Sequence, residues 1–219
     1  MDKLRLYLLR HGQTIDFERH LFNGWRDVGL TELGKRQLDD AARVLGRIPL
    51  DAVYSSDLGR ARYGGEKVAA GAGLTLGLIK DFREMSFGKC EGLNFQELAK
   101  LYPELAEGIL CPQTGKVSFP EGEDDRGFQA RIAGAVTGLL EKHPEGRVCL
   151  VSHAGVGRAV LAHFMGLSSS SMWAIHQDFA GLHVLDVYQG GTYIIRALNA
   201  YLGPEGYAQD GPGLAALVG

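Results

Sequence analysis

Apolar and polar positions follow two rhythms along the chain. Residues 4–9 (LRLYLL) are a short apolar run that stops on Arg10, His11 and Gly12, which predicts a buried strand with charged side chains at its carboxyl end. After Thr31, residues Leu33, Leu38, Ala41, Ala42 and Leu45 recur with a helical period up to Gly46. Thr31 is placed to cap that helix, and Glu32 suits its positive end. DAVYSS (51–56) reads as a second strand, with Asp57 placed to cap a helix over 58–70. Gly64 and Gly65 inside that helix cost propensity and predict an irregular start or packing. LTLGLI (74–79) predicts a third strand, and 94–101 a short helix stopped before Pro103. The stretch from Pro103 to Gly122 shows little periodicity and reads as a loop-like lid or cap. Phe128, Ile132, Val136, Leu139 and Leu140 form one face of a helix over 124–142. RVCLVSH (147–153) repeats the opening pattern, an apolar run stopping on a histidine, and GVGRAVLAHFMG is the helix after it. LHVLDVY and TYIIRAL flank Gly190-Gly191 as a hairpin. Strands alternating with helices predict an α/β fold with a mostly parallel sheet, the hairpin adding an antiparallel edge.

In such sheets ligands bind beyond the carboxyl ends of the strands. Three strand ends then matter: Arg10-His11-Gly12, Ser55-Ser56-Asp57 just before Arg60, and Ser152-His153-Ala154-Gly155. Two histidines and two arginines on one rim suit an anion. Guanidinium groups match phosphoryl oxygens with paired hydrogen bonds, and imidazole can attack phosphorus. Gly12 and Gly155 leave main-chain amides approachable. A carboxylic acid is also needed to protonate a leaving oxygen. Glu84 in DFREMSFGKCEG is the candidate, with Glu91 as a competitor. Taken singly, a strand-end histidine such as His11 or His153 is more often structural than catalytic, and Arg60 and Arg62 read as solvated helix charges. The seven histidines offer no HxH or HxxxH pair with an acidic third ligand, so no metal is expected. GxSxG, GxxxxGK[ST] and an opening GxGxxG are absent, against a serine hydrolase, a nucleoside triphosphate site or a dinucleotide site.

Composition narrows the setting. The 219 residues suit one domain. Hydrophobic residues make up 45% and charged residues 22%, an ordinary globular balance. A net charge of -3 disfavours a general nucleic-acid binder but not a local positive pocket. Cys90, Cys111 and Cys149 have no paired spacing, and nothing asks for an oxidising compartment. No leader pattern or long apolar run is seen, so the expectation is a cytoplasmic protein with no membrane and no nucleic-acid partner. Monomer or homodimer stays undetermined.

Six blocks in order carry a resemblance over nearly the whole chain. They are LLRHGQT (8–14), FNGWRDVGLTELGKRQ (22–37), YSSDLGRAR (54–62), REMSFGKCEG (83–92), PEGED (120–124) and VSHAGV (151–156). Together they resemble the histidine phosphatase superfamily, also called phosphoglycerate-mutase-like. The resemblance implies a three-layer αβα sandwich with a mostly parallel central sheet and an antiparallel edge strand. It also implies one domain over 1–219, with a lid at about 93–122 and a frayed tail from about 201. His11 would take the phosphoryl group, gripped by Arg10 and Arg60. His153 would hydrogen-bond it, and Glu84 would protonate the leaving oxygen and later activate water. Arginine repulsion would keep His11 neutral, and no metal or cofactor is needed. Asn23, Gly24, Ala154 and Gly155 fall in motif blocks and would contact substrate. The family often has an asparagine where this chain has Phe17, so Gln13 is an alternative donor. Gly64, Cys90 and Asp124 replace a usual threonine, tryptophan and serine.

FNGW resembles mutases, whereas FREMSFG resembles phosphatases. No arginine lies between Arg83 and Arg126, where mutases carry a substrate clamp, so water is the expected acceptor. The expected activity is phosphomonoester hydrolysis on a small phosphorylated metabolite. Residues 166–188 (GLSSSSMWAIHQDFAGLHVLDVY) resemble the alpha-ribazole phosphatases of cobalamin synthesis. Met172, Trp173 and Phe119 would then wall a ring-bearing leaving group, or else serve as core. The alternatives are a cofactor-dependent phosphoglycerate mutase and a non-catalytic phosphometabolite binder.

Overall fold

The computed structural model describes residues 3–111 and 117–202. Its elements run β1 (Lys3–Arg10), α1 (Glu32–Leu45), β2 (Ala52–Ser55), α2 (Gly59–Ala72), β3 (Leu76–Leu78), α3 (Phe95–Leu101), α4 (Pro103–Leu110), α5 (Asp125–Lys142), β4 (Gly146–Ser152), α6 (Ala154–Met165), β5 (Gly181–Tyr188) and β6 (Tyr193–Tyr201). The six strands form one sheet in the order β3-β2-β4-β1-β5-β6. β1, β2, β3 and β4 are parallel, β5 runs antiparallel to β1, and β6 antiparallel to β5.

Alternation along β1 divides the core. Leu4, Leu6 and Leu8 face one side, with Phe128 and Ile132 of α5 and Val156 and Val160 of α6. Tyr7 and Leu9 face the other, with Leu38 and Leu45 of α1 and Val68 of α2. Helices on both faces of a mostly parallel sheet make the three-layer sandwich that the motif order implied. Strand ends β1, β2 and β4 therefore meet on one rim: His11 N–H donates to Ser152 O at 2.9 Å, and Ser56 N–H to Val151 O at 3.2 Å.

Thr31 caps α1 as expected, its hydroxyl accepting from Gly34 N–H. Asp124 caps α5, accepting from Gly127 N–H at 2.7 Å. Asp57 does not cap α2. Its carboxylate takes a two-pronged bond from Arg83 at 2.7 and 2.6 Å, while Asp27 accepts from Gly59 N–H at 2.8 Å instead. An arginine fork outcompetes a single backbone donor. Gly64 lies inside a continuous helix, where an added Cβ would stand 2.8 Å from Leu38 and 3.1 Å from Val151. The glycine lets α2 approach α1 and β4 closely.

The expected loop from Pro103 begins instead with helix α4. Pro103 sits in its first turn, where the missing N–H is unneeded. Residues 112–116 of the expected lid lie outside the described residues. So does 203–219 of the expected tail, although Tyr201 closes β6 and Leu202 is buried.

Candidate active site

The rim above β1 and β4 holds a cavity of about 340 Å³ lined by Arg10, His11, Arg60 and Glu84. His153 lies beside it, its ring centroid 5.2 Å from that of His11 at 63°. Both imidazoles are buried.

His11 is oriented by its own loop. A carbonyl can only accept, so the 2.8 Å contact of Nδ1 with Gly12 O puts the proton on Nδ1 and the lone pair on Nε2. Burial holds the His11 pKa well below the usual histidine value, and the Arg60 and Arg10 charges lower it further. His153 is held low by the same causes, burial first and Arg60 next. Its Nε2 is 2.9 Å from Ser56 Oγ, while Nδ1 is buried with no partner among the described residues.

Two arginines face the histidines, each aimed by main-chain carbonyls. Arg10 donates to Gln177 O at 2.6 Å, and its guanidinium carbon lies 3.9 Å from the Phe179 ring centroid. Arg60 donates to Arg26 O and Gly24 O, both at 2.6 Å. Gly24 has φ +48, and an added Cβ would meet Glu91 Oε1 at 2.2 Å. That position needs glycine twice over. Burial pushes the Arg10 pKa down to about 10 and lowers that of Arg60, so both stay charged at neutral pH.

Glu84 meets the start of α6. Its Oε2 accepts from Gly155 N–H at 3.1 Å and its Oε1 from Met85 N–H at 2.9 Å. The segment is pinned through Glu84 O, which accepts from Trp25 Nε1 at 2.7 Å and Arg131 at 3.2 Å. Glu91, the competing acid, is occupied elsewhere: its Oε1 accepts from Trp25 N–H at 2.8 Å and supports the turn that aims Arg60.

Phe17, Asn23 and Gly24 also line the cavity. Gln13 does not; its side-chain oxygen accepts from the Thr31 hydroxyl at 2.9 Å. Ala154 and Gly155 open α6, Gly155 through its amide on Glu84. Phe119 and Trp173 line a separate apolar pocket of about 190 Å³ with Phe22 and Ile109, which adjoins the first through their shared Phe87. Met172 is core. Among the described residues, no His, Cys, Asp and Glu group could hold a metal ion, and no helix is long and apolar enough to cross a membrane.

Sequence reasoning missed Phe179, Gln177 and Phe87; it put Ser56 on the rim without giving it the bond to His153. Phe179 was the most legible of them. It lies two residues before β5, and the start of an antiparallel strand shares a rim with the ends of its parallel neighbours.

The profile described as the histidine phosphatase superfamily (branch 1) matches residues 6–200. The chain belongs to the histidine phosphatase superfamily. An adenosylcobalamin/alpha-ribazole phosphatase of Escherichia coli is 27% identical over 199 residues, covering 90% of this chain and 96% of the relative. A bifunctional protein of Mycobacterium tuberculosis is 32% identical over 196 residues, and there the chain spans only 53% of the relative's length. A mycobacterial glucosyl-3-phosphoglycerate phosphatase superposes with a TM-score of 0.80 at 28% identity, covering 90% of this chain and 98% of that one. Within this member of the superfamily, the departures from the family pattern have local reasons. Cys90 is core, and Asp124 still caps a helix. Phe17 stands on the cavity wall, its ring 5.7 Å from Phe179.

Proposed function

We propose that this histidine phosphatase hydrolyses a phosphomonoester of a small metabolite through a phosphohistidine on His11. The observation that carries this is the unprotonated Nε2 of a buried, neutral His11 beside two charged arginines and the Glu84 carboxyl group. In the first step the Nε2 lone pair forms a bond to phosphorus as the bond to the leaving oxygen breaks. Arg10, Arg60 and His153 hold the phosphoryl oxygens, and Glu84 gives the leaving oxygen its proton. In the second step water attacks phosphorus, the N–P bond breaks, and the Glu84 carboxylate takes the proton from water. Acyl or glycosyl transfer would leave two buried arginines without a role.

Water rather than a second substrate is the proposed acceptor. Among the described residues the cavity contains no arginine beyond Arg10 and Arg60, so a bisphosphorylated acid would lack a second clamp. The proposed leaving group carries an apolar ring. The aromatic pocket of Phe22, Phe119 and Trp173 begins one ring away from the phosphoryl cavity and has the size of a small planar group. Alpha-ribazole 5'-phosphate is the first candidate, supported by that pocket and by the name of the Escherichia coli relative.

The test is phosphate release across a panel holding alpha-ribazole phosphate and 3-phosphoglycerate, with acid and alkaline quenching of the enzyme during turnover. An acid-labile phosphoryl adduct is expected in the wild type and absent in His11→Ala. Turnover surviving in His11→Ala would overturn the assignment, and isomerised phosphoglycerate without free phosphate would restore the mutase.

A further inference from the structure

One short segment grips both the nucleophile's backbone and the principal arginine. Gln177 O accepts from Arg10 at 2.6 Å, and Phe179 covers the guanidinium plane at 3.9 Å. Ala180 N–H donates to His11 O at 3.0 Å. The segment is itself anchored. The buried Gln177 amide donates to Leu8 O at 3.1 Å and Gly181 O at 2.9 Å, tying it to β1 and β5. On the other side Asn199 of β6 accepts from Asp178 N–H and donates to the Asp178 carboxylate, both at 2.7 Å.

A guanidinium group on a long stem loses much rotamer freedom when it binds an anion, unless its plane is already set. Here one edge is fixed by a carbonyl and one face by a ring. Phe17 completes the stack, meeting Phe179 edge-on at 5.7 Å and 77°.

We infer that Gln177 and Phe179 are positioning residues for Arg10, and that Phe17 backs Phe179 against it. The chain thereby obtains by confinement what a polar side chain at position 17 would supply by direct contact. This rests on the site binding a phosphoryl group, not on its turning one over. Phe179 acts through Arg10: a ring has no hydrogen-bonding group to offer phosphate, but over a guanidinium it excludes water and fixes the plane.

Orthophosphate binding to the full chain, measured by calorimetry, tests this apart from catalysis. Phe179→Leu is expected to weaken phosphate binding about fivefold to thirtyfold, the range of a partly desolvated cation–π contact. Phe179→Tyr, which keeps the ring, is expected to recover most of that loss. Phe17→Ala is expected to weaken binding about threefold, a smaller loss because Phe17 acts only through Phe179. Phe17 is 40% exposed, so this variant decides the matter if Phe179→Leu does not fold. Unchanged phosphate affinity in Phe179→Leu, or in Phe17→Ala where the first variant fails, would overturn the inference even if the wild type releases phosphate normally. A wild type that binds phosphate without hydrolysing any substrate, with Phe179→Leu binding it weakly, would sink the hydrolase reading and leave the positioning role standing. A wild type that binds no phosphate would remove both.

Discussion

Acidification should weaken this protein well above the pH at which carboxylates titrate. Three histidines, at positions 11, 153 and 183, are buried and have lowered pKa values, burial being the largest cause in each. His183 is pushed down to about 4, with Arg158 adding to the effect. The unfolded chain would take up protons near 6.5, whereas the folded chain resists. Between those values the unfolded state binds more protons, so stability rises with pH and is lost as pH falls. For His183 the loss between pH 7 and 5 is about 2 kcal/mol. His11 and His153 are lowered in the same direction, so each adds to the loss. The share of His183 alone is already a sizeable part of the roughly 5–15 kcal/mol that holds a typical domain together. The depressed carboxyl groups of Asp57 and Asp186 add their own loss only as pH falls below their unfolded value near 4, outside this window.

The assay is urea unfolding at half-unit steps from pH 5 to 7.5, in buffers free of phosphate. The slope of stability against pH near 5 should exceed the uptake of about one proton on unfolding, the share of His183 alone, which is worth about 1.4 kcal/mol per pH unit. His183→Gln, whose side-chain oxygen can still accept from Asn199 N–H as His183 Nδ1 does at 3.0 Å, should remove about one proton's worth of that slope. A stability flat between pH 5 and 7 would refute the reasoning, since it would mean that the buried imidazoles charge as readily folded as unfolded.

Three other outcomes follow from the geometry. Glu84→Gln should lower kcat on alkyl phosphates by about 10²–10⁴ and on activated aryl phosphates far less; equal losses in steady-state assays on both would remove its acid role. Gly155→Ala adds a Cβ 2.1 Å from Glu84 Oε1, so kcat/KM should drop about 100-fold with an unshifted melting temperature, and wild-type phosphate release would show that Glu84 is not held there. Asp186 is fully buried and bonds Lys3, Arg5 and Arg196 at 2.8, 2.6 and 2.8 Å, so Asp186→Ala should cost about 2–4 kcal/mol by urea unfolding, the exposed ends of Lys3 and Arg196 limiting the loss.

Much of the fold was legible because each strand ends on a polar signal and each long helix has a periodic face. LRLYLL and RVCLVSH announced themselves as central strands, and they are the adjacent pair β1 and β4. Thr31 was readable as a cap because a hydroxyl can accept from Gly34 N–H while donating to Gln13, so its second bond does not disturb the first. Asp57 was misread because its partner, Arg83, is distant in sequence and only the fold brings the fork within reach. Helix α4 was hidden by Pro103, a helix breaker in the interior but compatible with a first turn. At the site, motif residues on strand ends could be named from their order alone. The contacts of Gln177 and Phe179 could not, even where the rim position of Phe179 could, since what they touch is Arg10, more than 160 residues away.

The pairing of arginines separates scaffold from site. Arg5 bonds Asp186, Arg83 bonds Asp57, and Arg131 bonds Glu123; each meets a carboxylate that cancels its charge. Arg10 and Arg60 of the cavity, with Arg158 outside its lining, instead donate to main-chain carbonyls, those of Gln177, of Gly24 and Arg26, and of Ile175. A carbonyl dipole fixes direction without supplying a compensating unit charge. The consequence is a buried positive potential that carboxylates offset only through space, Glu84 first, then Asp178 for Arg10 and Asp27 and Glu91 for Arg60, while burial lowers the pKa of all three arginines. Holding such a potential costs stability, and a phosphoryl dianion relieves it. The same uncancelled charge helps to keep His11 unprotonated before the anion arrives, so orientation by carbonyls serves binding and nucleophilicity together. An added carboxylate facing Arg10 would strengthen the fold and silence the site.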